Sequence, residues 1–248
     1  MAGHSKWSKI KRKKGATDAK RSQVWARITR DIMVAARDGG GAIDMNPRLA
    51  LSVEKAKAEN MPKDNIERAI KRGTGEIQGA DYEEVSYEGY GPAGVAVFVE
   101  ALTDNPTRTV AEVRLQFSKS GGNMGTSGSV AFMFDRKSIF DIPAAGLDED
   151  DLFMTVADAG AEDLRRDDEY FVVTAPVESF GAVQAALQEA GITPEEASLS
   201  RIPTTTTTVD ADALPKVLRL IENLEDLQDV QSVYSTLEVD EETLAALS

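Results

Sequence analysis

No cysteine occurs anywhere in the 248 residues. This excludes disulfides, thiolate metal sites and cysteine nucleophiles, and it suits a reducing compartment. Histidine is almost as scarce. His4 is the single one, with no second imidazole to share a metal and no serine to activate. It reads as a solvent-exposed or RNA-contacting side chain. No apolar run approaches the length needed to cross a bilayer. The basic N-terminal stretch lacks the apolar segment of a secretory signal that would follow it. That stretch is also poor in acids, as transit peptides are, yet it leads straight into an amphipathic helix with no cleavage site. The expectation is a cytoplasmic protein with no membrane partner. No nucleophile–base–orienter set is visible. The acid pairs at Asp148, Glu149, Asp150 and Asp151 sit at a helix start, where they favour the helix dipole. No catalytic residue, metal, cofactor or small-molecule substrate is therefore assigned, and the chain reads as a non-enzyme.

Charge is abundant but divided. The whole chain carries a formal charge of −14. Residues 1–78 hold 18 Lys/Arg against 9 Asp/Glu, a net of +9, and residues 79–248 hold 10 against 33, a net of −23. An asymmetry of this size implies division of labour along the chain. The basic segment can approach a polyanion, and the acidic remainder is repelled by one.

Periodicity gives an α and α+β chain of several domains. Residues 1–16 form a basic arm. A helix starts near Thr17 or Asp18, both competent caps. Its apolar face holds Trp25, Ile28, Ile32, Ala35 and Ala36, and Lys20, Arg27, Arg30 and Arg37 lie opposite. Gly39, Gly40 and Gly41 stop it. A second helix begins at Asn46-Pro47 and runs to about Asn60. A third runs from Pro62 to Arg72, with Gly73 as its stop. Together these predict an N-terminal three-helix bundle over 1–78. From residue 82 the period changes to two. Strands are expected at Glu83–Tyr90, Gly94–Leu102 and Ser129–Phe134, with a helix at Thr107–Ser120. Residues 136–203 then run strand, helix, strand, strand, helix, strand, the βαββαβ order of a ferredoxin-like unit. A helix at Ala211–Leu224 and a strand at Val230–Leu237 have no partners nearby. They complete the layer begun at 79–135. The expectation is a discontinuous α+β middle domain, 79–135 plus 204–248, with the ferredoxin-like domain inserted into it.

The candidate binding residues follow from the charge. Lys6, Lys9, Lys11, Arg12, Lys13 and Lys14 crowd the arm around Trp7, and Lys20, Arg21, Arg27 and Arg30 continue the positive face along the first helix. Each phosphate that such a group neutralises releases counterions, which drives binding whatever the base sequence. Trp7 can stack on a base or wedge into a groove. The plainer reading is a solvated basic tail. The concentration of positive charge in an acidic protein favours binding. Arg108, in the turn Thr103–Thr109, can reach a phosphate, although Asp104 or Asn105 as cap and Pro106 at the first turn explain that segment without one. The loop Gly121, Gly122, Asn123, Met124, Gly125, Thr126, Ser127 and Gly128 is the most unusual one. Its exposed backbone N–H groups suit a phosphate nest. It is equally a connection needing positive φ, and no P-loop lysine follows it.

The segments MAGHSKW with its basic arm, GGG, NPRL, YEGYGP, TVAEVR and GGNMG followed by GSVAFMF occur in that order from end to end. In this combination the chain resembles the YebC/PmpR family, whose mitochondrial members include the translational activator of cytochrome c oxidase subunit I. The resemblance implies three domains: a helical one and two α+β ones, the ferredoxin-like one inserted in the other. It implies a cytoplasmic regulator of transcription binding promoter DNA. A newer view of the family implies action on the ribosome, at stretches such as consecutive prolines. The family's usual turn before TVAEVR carries a basic residue and an asparagine where this chain has Pro106 and Thr107, which removes a positive charge there. Arg108 matches.

Two partners thus stand open, promoter DNA and ribosomal RNA. Base readout in a duplex needs Asn, Gln or Arg on a recognition helix, and the bundle offers Gln23, Asn65, Arg68 and Arg72. Backbone recognition of RNA needs only the basic surface. Under either, charge reversal at Lys11, Arg12, Lys13 and Lys14 weakens binding to every sequence. It also flattens the salt dependence by about 0.7–0.9 per lost contact. A titration series in salt measures this, and an unchanged slope makes the arm a spectator.

Overall fold

The computed structural model describes residues 18–239, with side chains from Arg21 onward. The candidate residues Lys6, Trp7, Lys9, Lys11, Arg12, Lys13 and Lys14, the lone His4 and the side chain of Lys20 lie outside the described residues. The architecture is mixed, with helices and two antiparallel four-stranded sheets. The described chain divides into two compact units. One comprises the residues up to Met133 together with those from Thr205 on; the other is Phe134–Thr204. Among the described residues no helix is long and apolar enough to cross a membrane.

The first unit opens with three helices, α1 (Asp18–Gly39), α2 (Pro47–Ala58) and α3 (Lys63–Gly73). Their apolar stripes meet in one core of Ile28, Ile32, Ala36, Leu49, Val53, Ile66 and Ala69. Buried Asn46 joins the first two helices. Its Oδ1 accepts from the Leu49 N–H at 3.1 Å, capping α2, while its Nδ2 donates to the Ala35 and Gly40 carbonyls at 2.8 Å each. One amide therefore satisfies backbone groups left over at the end of one helix and the start of the next.

Two longer strands follow, β1 (Glu83–Tyr90) and β2 (Ala96–Thr103), paired antiparallel from Glu83↔Thr103 to Tyr90↔Ala96. Helix α4 (Pro106–Lys119) starts on an Asn105 cap whose side chain accepts from the Arg108 N–H. A two-residue strand, β3 (Asn123–Met124), adds to the outer edge of β1. The sequence pattern predicts a strand over Ser129–Phe134, but the structure has no strand before Phe134, where a later strand begins. The Val130 and Ala131 N–H groups point at the Glu88 carboxylate instead of a neighbouring strand, and Ala131–Met133 is a single 3₁₀ turn.

The second unit contains β4 (Phe134–Pro143), α5 (Glu149–Asp158), β5 (Asp163–Asp167), β6 (Tyr170–Pro176), α6 (Phe180–Glu189) and β7 (Glu196–Pro203). Its sheet order is β5-β6-β4-β7, all antiparallel. Phe140, Ile142, Phe171 and Val173 from the strands pack with Leu152, Val156, Val183 and Leu187 from the helices. Asp148 caps α5 through its Oδ1, which accepts from the Asp150 and Asp151 N–H groups at 3.0 and 3.1 Å.

The chain then returns to the first unit through β8 (Thr207–Thr208), α7 (Leu214–Glu225), β9 (Val230–Ser235) and β10 (Leu237–Glu238). β9 pairs with the free edge of β2, giving the order β3-β1-β2-β9, and β10 pairs parallel with β8. Val113 and Phe117 of α4, and Val217, Leu220, Ile221 and Leu224 of α7, cover the sheet's Val97, Val99 and Val233.

Asp229, between α7 and β9, ties these parts together. It is 2% exposed. Its Oδ2 accepts from Thr103 Oγ1 at 3.1 Å, Thr109 Oγ1 at 2.7 Å and Arg108 Nη2 at 2.6 Å. Its Oδ1 faces Arg30 Nη2 of α1 at 4.0 Å. Burial pushes the Asp229 carboxyl up, but the bonds donated by Arg108, Thr109 and Thr103 outweigh it and hold the group below its ordinary 3.8. A folded value below the unfolded one makes its contribution to stability complete above the ordinary value. That contribution is lost as pH falls through the folded value. Asp229→Ala leaves two buried hydroxyls and Arg30 without this partner. It is expected to lower unfolding stability by about 3–5 kcal/mol at neutral pH and to shrink the acid limb of the stability profile. Denaturant melts across pH check both.

Candidate nucleic-acid interface

Helix α1 carries a polar stripe of Gln23, Arg27 and Arg30 at helical spacing, opposite its core face. In the sequence this stripe reads as a surface for phosphate. In the structure it lies against the C-terminal end of α7. Gln23 Nε2 donates to the Asp226 carbonyl at 3.0 Å, Arg27 donates to the Glu225 carbonyl, and Arg30 Nη1 donates to the Gln228 carbonyl at 2.6 Å. The last carbonyls of a helix have no partner within it and carry the negative end of its dipole, so two guanidiniums and an amide complement them well. Arg30 is 4% exposed and also lies over the Tyr82 ring, 5.7 Å from its centroid. Its charge is directed inward, and Arg27 follows it. Both side chains, read from the sequence as phosphate contacts, bond protein carbonyls here. They hold the bundle to the sheet layer.

Arg108 is engaged as well. Its Nη2 donates to Asp104 at 2.8 Å and to Asp229 at 2.6 Å, and these two bonds raise its pKa further. The arginine that matches the resemblance thus serves a protein ion-pair network, with its outer edge still at the surface.

The glycine-rich loop has an internal anion in place of a phosphate. Glu88 of β1 is 3% exposed. Its Oε1 accepts from the Gly128 N–H at 2.7 Å, and its Oε2 accepts from the Val130 and Ala131 N–H groups at 2.7 and 2.8 Å. Its backbone carbonyl takes the Gly125 N–H at 2.8 Å. The Gly121 and Gly122 N–H groups go to the Ser118 and Phe117 carbonyls, and Asn123 and Met124 pair with Tyr90 and Gly89. The Gly121, Gly122 and Gly125 N–H groups are thus satisfied by their own chain. Close approach explains two of the glycines. A Cβ at Gly122 would stand 2.5 Å from the Tyr90 carbonyl oxygen, and one at Gly125 would stand 2.5 Å from Ser129 Oγ. Sequence reasoning missed Glu88. The available signal was a carboxylate next to Gly89 on a strand whose other side chains are half-buried or exposed.

Exposed cations of the bundle that form no salt bridge among the described residues include Arg21 on α1, Lys55 and Lys57 on α2, and Arg68, Lys71 and Arg72 on α3. Arg21 lies over the Trp25 ring, 5.6 Å from its centroid. The Trp25 indole N–H is fixed by the Glu59 carbonyl at 3.0 Å.

Two family models match the chain. The TACO1/YebC protein N-terminal domain covers residues 5–76, and the TACO1/YebC second and third domain covers residues 82–237. Among curated relatives, a protein of Desulforapulum autotrophicum is 49% identical and one of Rubrobacter xylanophilus is 51% identical, each over the full length of both chains. Both carry the name "Probable transcriptional regulatory protein". The crystal structure of a conserved hypothetical protein from Aquifex aeolicus superposes with a TM-score of 0.83 at 42% identity, over 90% of this chain and 93% of that one.

The Glu88 arrangement makes a sharp expectation for an isosteric change. Glu88→Gln turns an acceptor oxygen into an N–H₂ that faces backbone N–H donors. It is expected to cost about 2–3 kcal/mol of unfolding stability and to release hydrogen-exchange protection at Gly128, Val130 and Ala131. Retained protection at those amides would show that the loop does not depend on the carboxylate.

Proposed function

The chain belongs to the TACO1/YebC family, and on that premise we propose that it is a non-enzymatic, cytoplasmic nucleic-acid-binding regulator of gene expression, acting on promoter DNA as a transcriptional regulatory protein. The observation that carries this reading is the division of charge. A net of +9 sits in residues 1–78 of a protein whose total is −14. Within the bundle, Arg21, Arg68, Lys71 and Arg72 stay exposed while Arg27 and Arg30 are engaged internally. The arm residues Lys6, Lys9, Lys11, Arg12, Lys13 and Lys14, with Trp7, Lys20 and Arg21, supply the remaining contacts in this reading. The names carried by the relatives support a regulator. The loop 121–128 enters as a preshaped surface, not as an anion nest.

The second reading is a translation factor on ribosomal RNA that relieves stalling at sequences such as consecutive prolines. It is favoured by the kind of cation left exposed. Arg68, Lys71 and Arg72 lie on one short helix, Lys55 and Lys57 on another, and the same segment of the sequence holds an arm dense in lysine, a pattern suited to phosphate backbone more than to base edges. For both readings, Phe134–Thr204 is taken as a ferredoxin-like domain inserted in the middle domain. Its element order and its strand order β5-β6-β4-β7 support that.

Sedimentation of the full chain with ribosomes at physiological salt, with excess duplex DNA as competitor, separates the two. Release by the duplex is the outcome expected of a promoter-binding protein. Retention on ribosomes against the duplex would overturn that reading and leave the translational one.

A further inference from the structure

The exposed face of the bundle has a hollow. It lies between α1 and α3 and has a volume of about 120 Å³. Trp25 lines it from α1, and Asn65, Arg68 and Arg72 line it from α3, with Met61 and Ala69 also in its wall. Asn65, Arg68 and Arg72 follow at three and then four positions, the spacing that puts side chains in one row on a helix. Both arginines are exposed and lack salt bridges among the described residues. Arg72 also borders a second hollow, of about 270 Å³, walled by Met33, Arg37 and Tyr82 together with the segment after α3. The first hollow is much smaller than the 300–1,000 Å³ that holds a cofactor or drug-sized ligand, so an anionic group attached to a longer chain fits it better.

Three features give this hollow its chemistry. Guanidinium groups match phosphate oxygens in a two-pronged geometry that lysine lacks. The Trp25 N–H donates to the Glu59 carbonyl, which sets the ring's orientation, and the Arg21 guanidinium lies over the ring; the part of the ring left exposed can meet a base. Asn65 adds an amide that can donate and accept at the same place. We propose that this hollow receives one phosphodiester of a bound nucleic-acid strand, gripped by Arg68 and Arg72, with the neighbouring base against Trp25. The proposal rests on the nucleic-acid reading above and assigns it a face of the bundle. The phosphodiester chemistry is shared by RNA and DNA, and the test separates them.

The test uses the full chain. Arg68→Gln with Arg72→Gln is titrated with a fluorescently labelled single-stranded oligouridylate and with a random duplex DNA over a range of salt. Binding is expected to fall by about tenfold per arginine removed. The salt slope is expected to drop by about 0.7 per contact if the occupant is the single strand, or about 0.9 if it is the duplex. The melting temperature should not move, because both side chains are exposed. A second readout needs no change in the hollow. The chain has two tryptophans, so Trp7→Phe leaves Trp25 as the sole one, and its emission is expected to quench on addition of the oligonucleotide. Unchanged affinity and slope in the double variant, with Trp25 emission unmoved, overturn the proposal. If a chain with Lys11, Arg12, Lys13 and Lys14 reversed loses binding in the same experiment, the nucleic-acid reading survives that failure. If the wild-type chain binds neither acid, the reading of function fails first.

Discussion

The seating of α1 on the end of α7 is the contact on which the rest of the first unit depends. Helix α7 ends with carbonyls at Glu225, Asp226 and Gln228 that no helical N–H can reach, and Gln23, Arg27 and Arg30 supply the donors. Asp229 follows at once and gathers Thr103, Arg108 and Thr109 around the same point. A helix end with positive groups against it is favourable by the dipole alone. Here the same contact also orients a bundle that has its own core against a sheet that has another. The bundle's exposed face follows from this orientation, because the face that docks cannot also bind.

Glu88 applies the same rule with the opposite sign. A glycine-rich loop full of backbone donors is an anion site in waiting, and this chain fills it with a carboxylate of its own. Arg30 and Glu88 are both nearly sealed from solvent. Arg30 reads in the sequence as a phosphate contact and Glu88 does not stand out there, yet both are taken up by internal partners. Ligand binding falls to groups that no internal partner claims, and on the bundle these include Arg68, Lys71 and Arg72 of α3, Lys55 and Lys57 of α2 and Arg21 of α1.

The helices were legible because their signals are local. Asn46 before Pro47 starts α2, Gly73 ends α3, and β1 alternates between exposed and half-buried from Glu84 to Tyr87. The wheel also put Arg27 and Arg30 opposite the core correctly. What covers them lies 198 residues further along the chain, and no periodicity carries that information. The strand expected at Ser129–Phe134 fails for a related reason. Val130, Ala131, Phe132 and Met133 favour extended structure locally, but a carboxylate 42 residues earlier takes the N–H of Val130 that a neighbouring strand would need. Local propensity yields to a buried charge that must be satisfied.

Arg27 and Arg30 of α1 face protein, while the cations of α3 are assigned to nucleic acid. Photo-cross-linking of the full chain to a thiouridine-substituted oligonucleotide, with adducts mapped by mass spectrometry, tests this division most directly. The account predicts adducts in the peptide carrying Asn65, Arg68 and Arg72 and none in the peptide carrying Glu225 to Asp229. Adducts concentrated around Glu225 to Asp229, with the α3 peptide unlabelled, would mean that α1 leaves its seat to bind and would contradict the account.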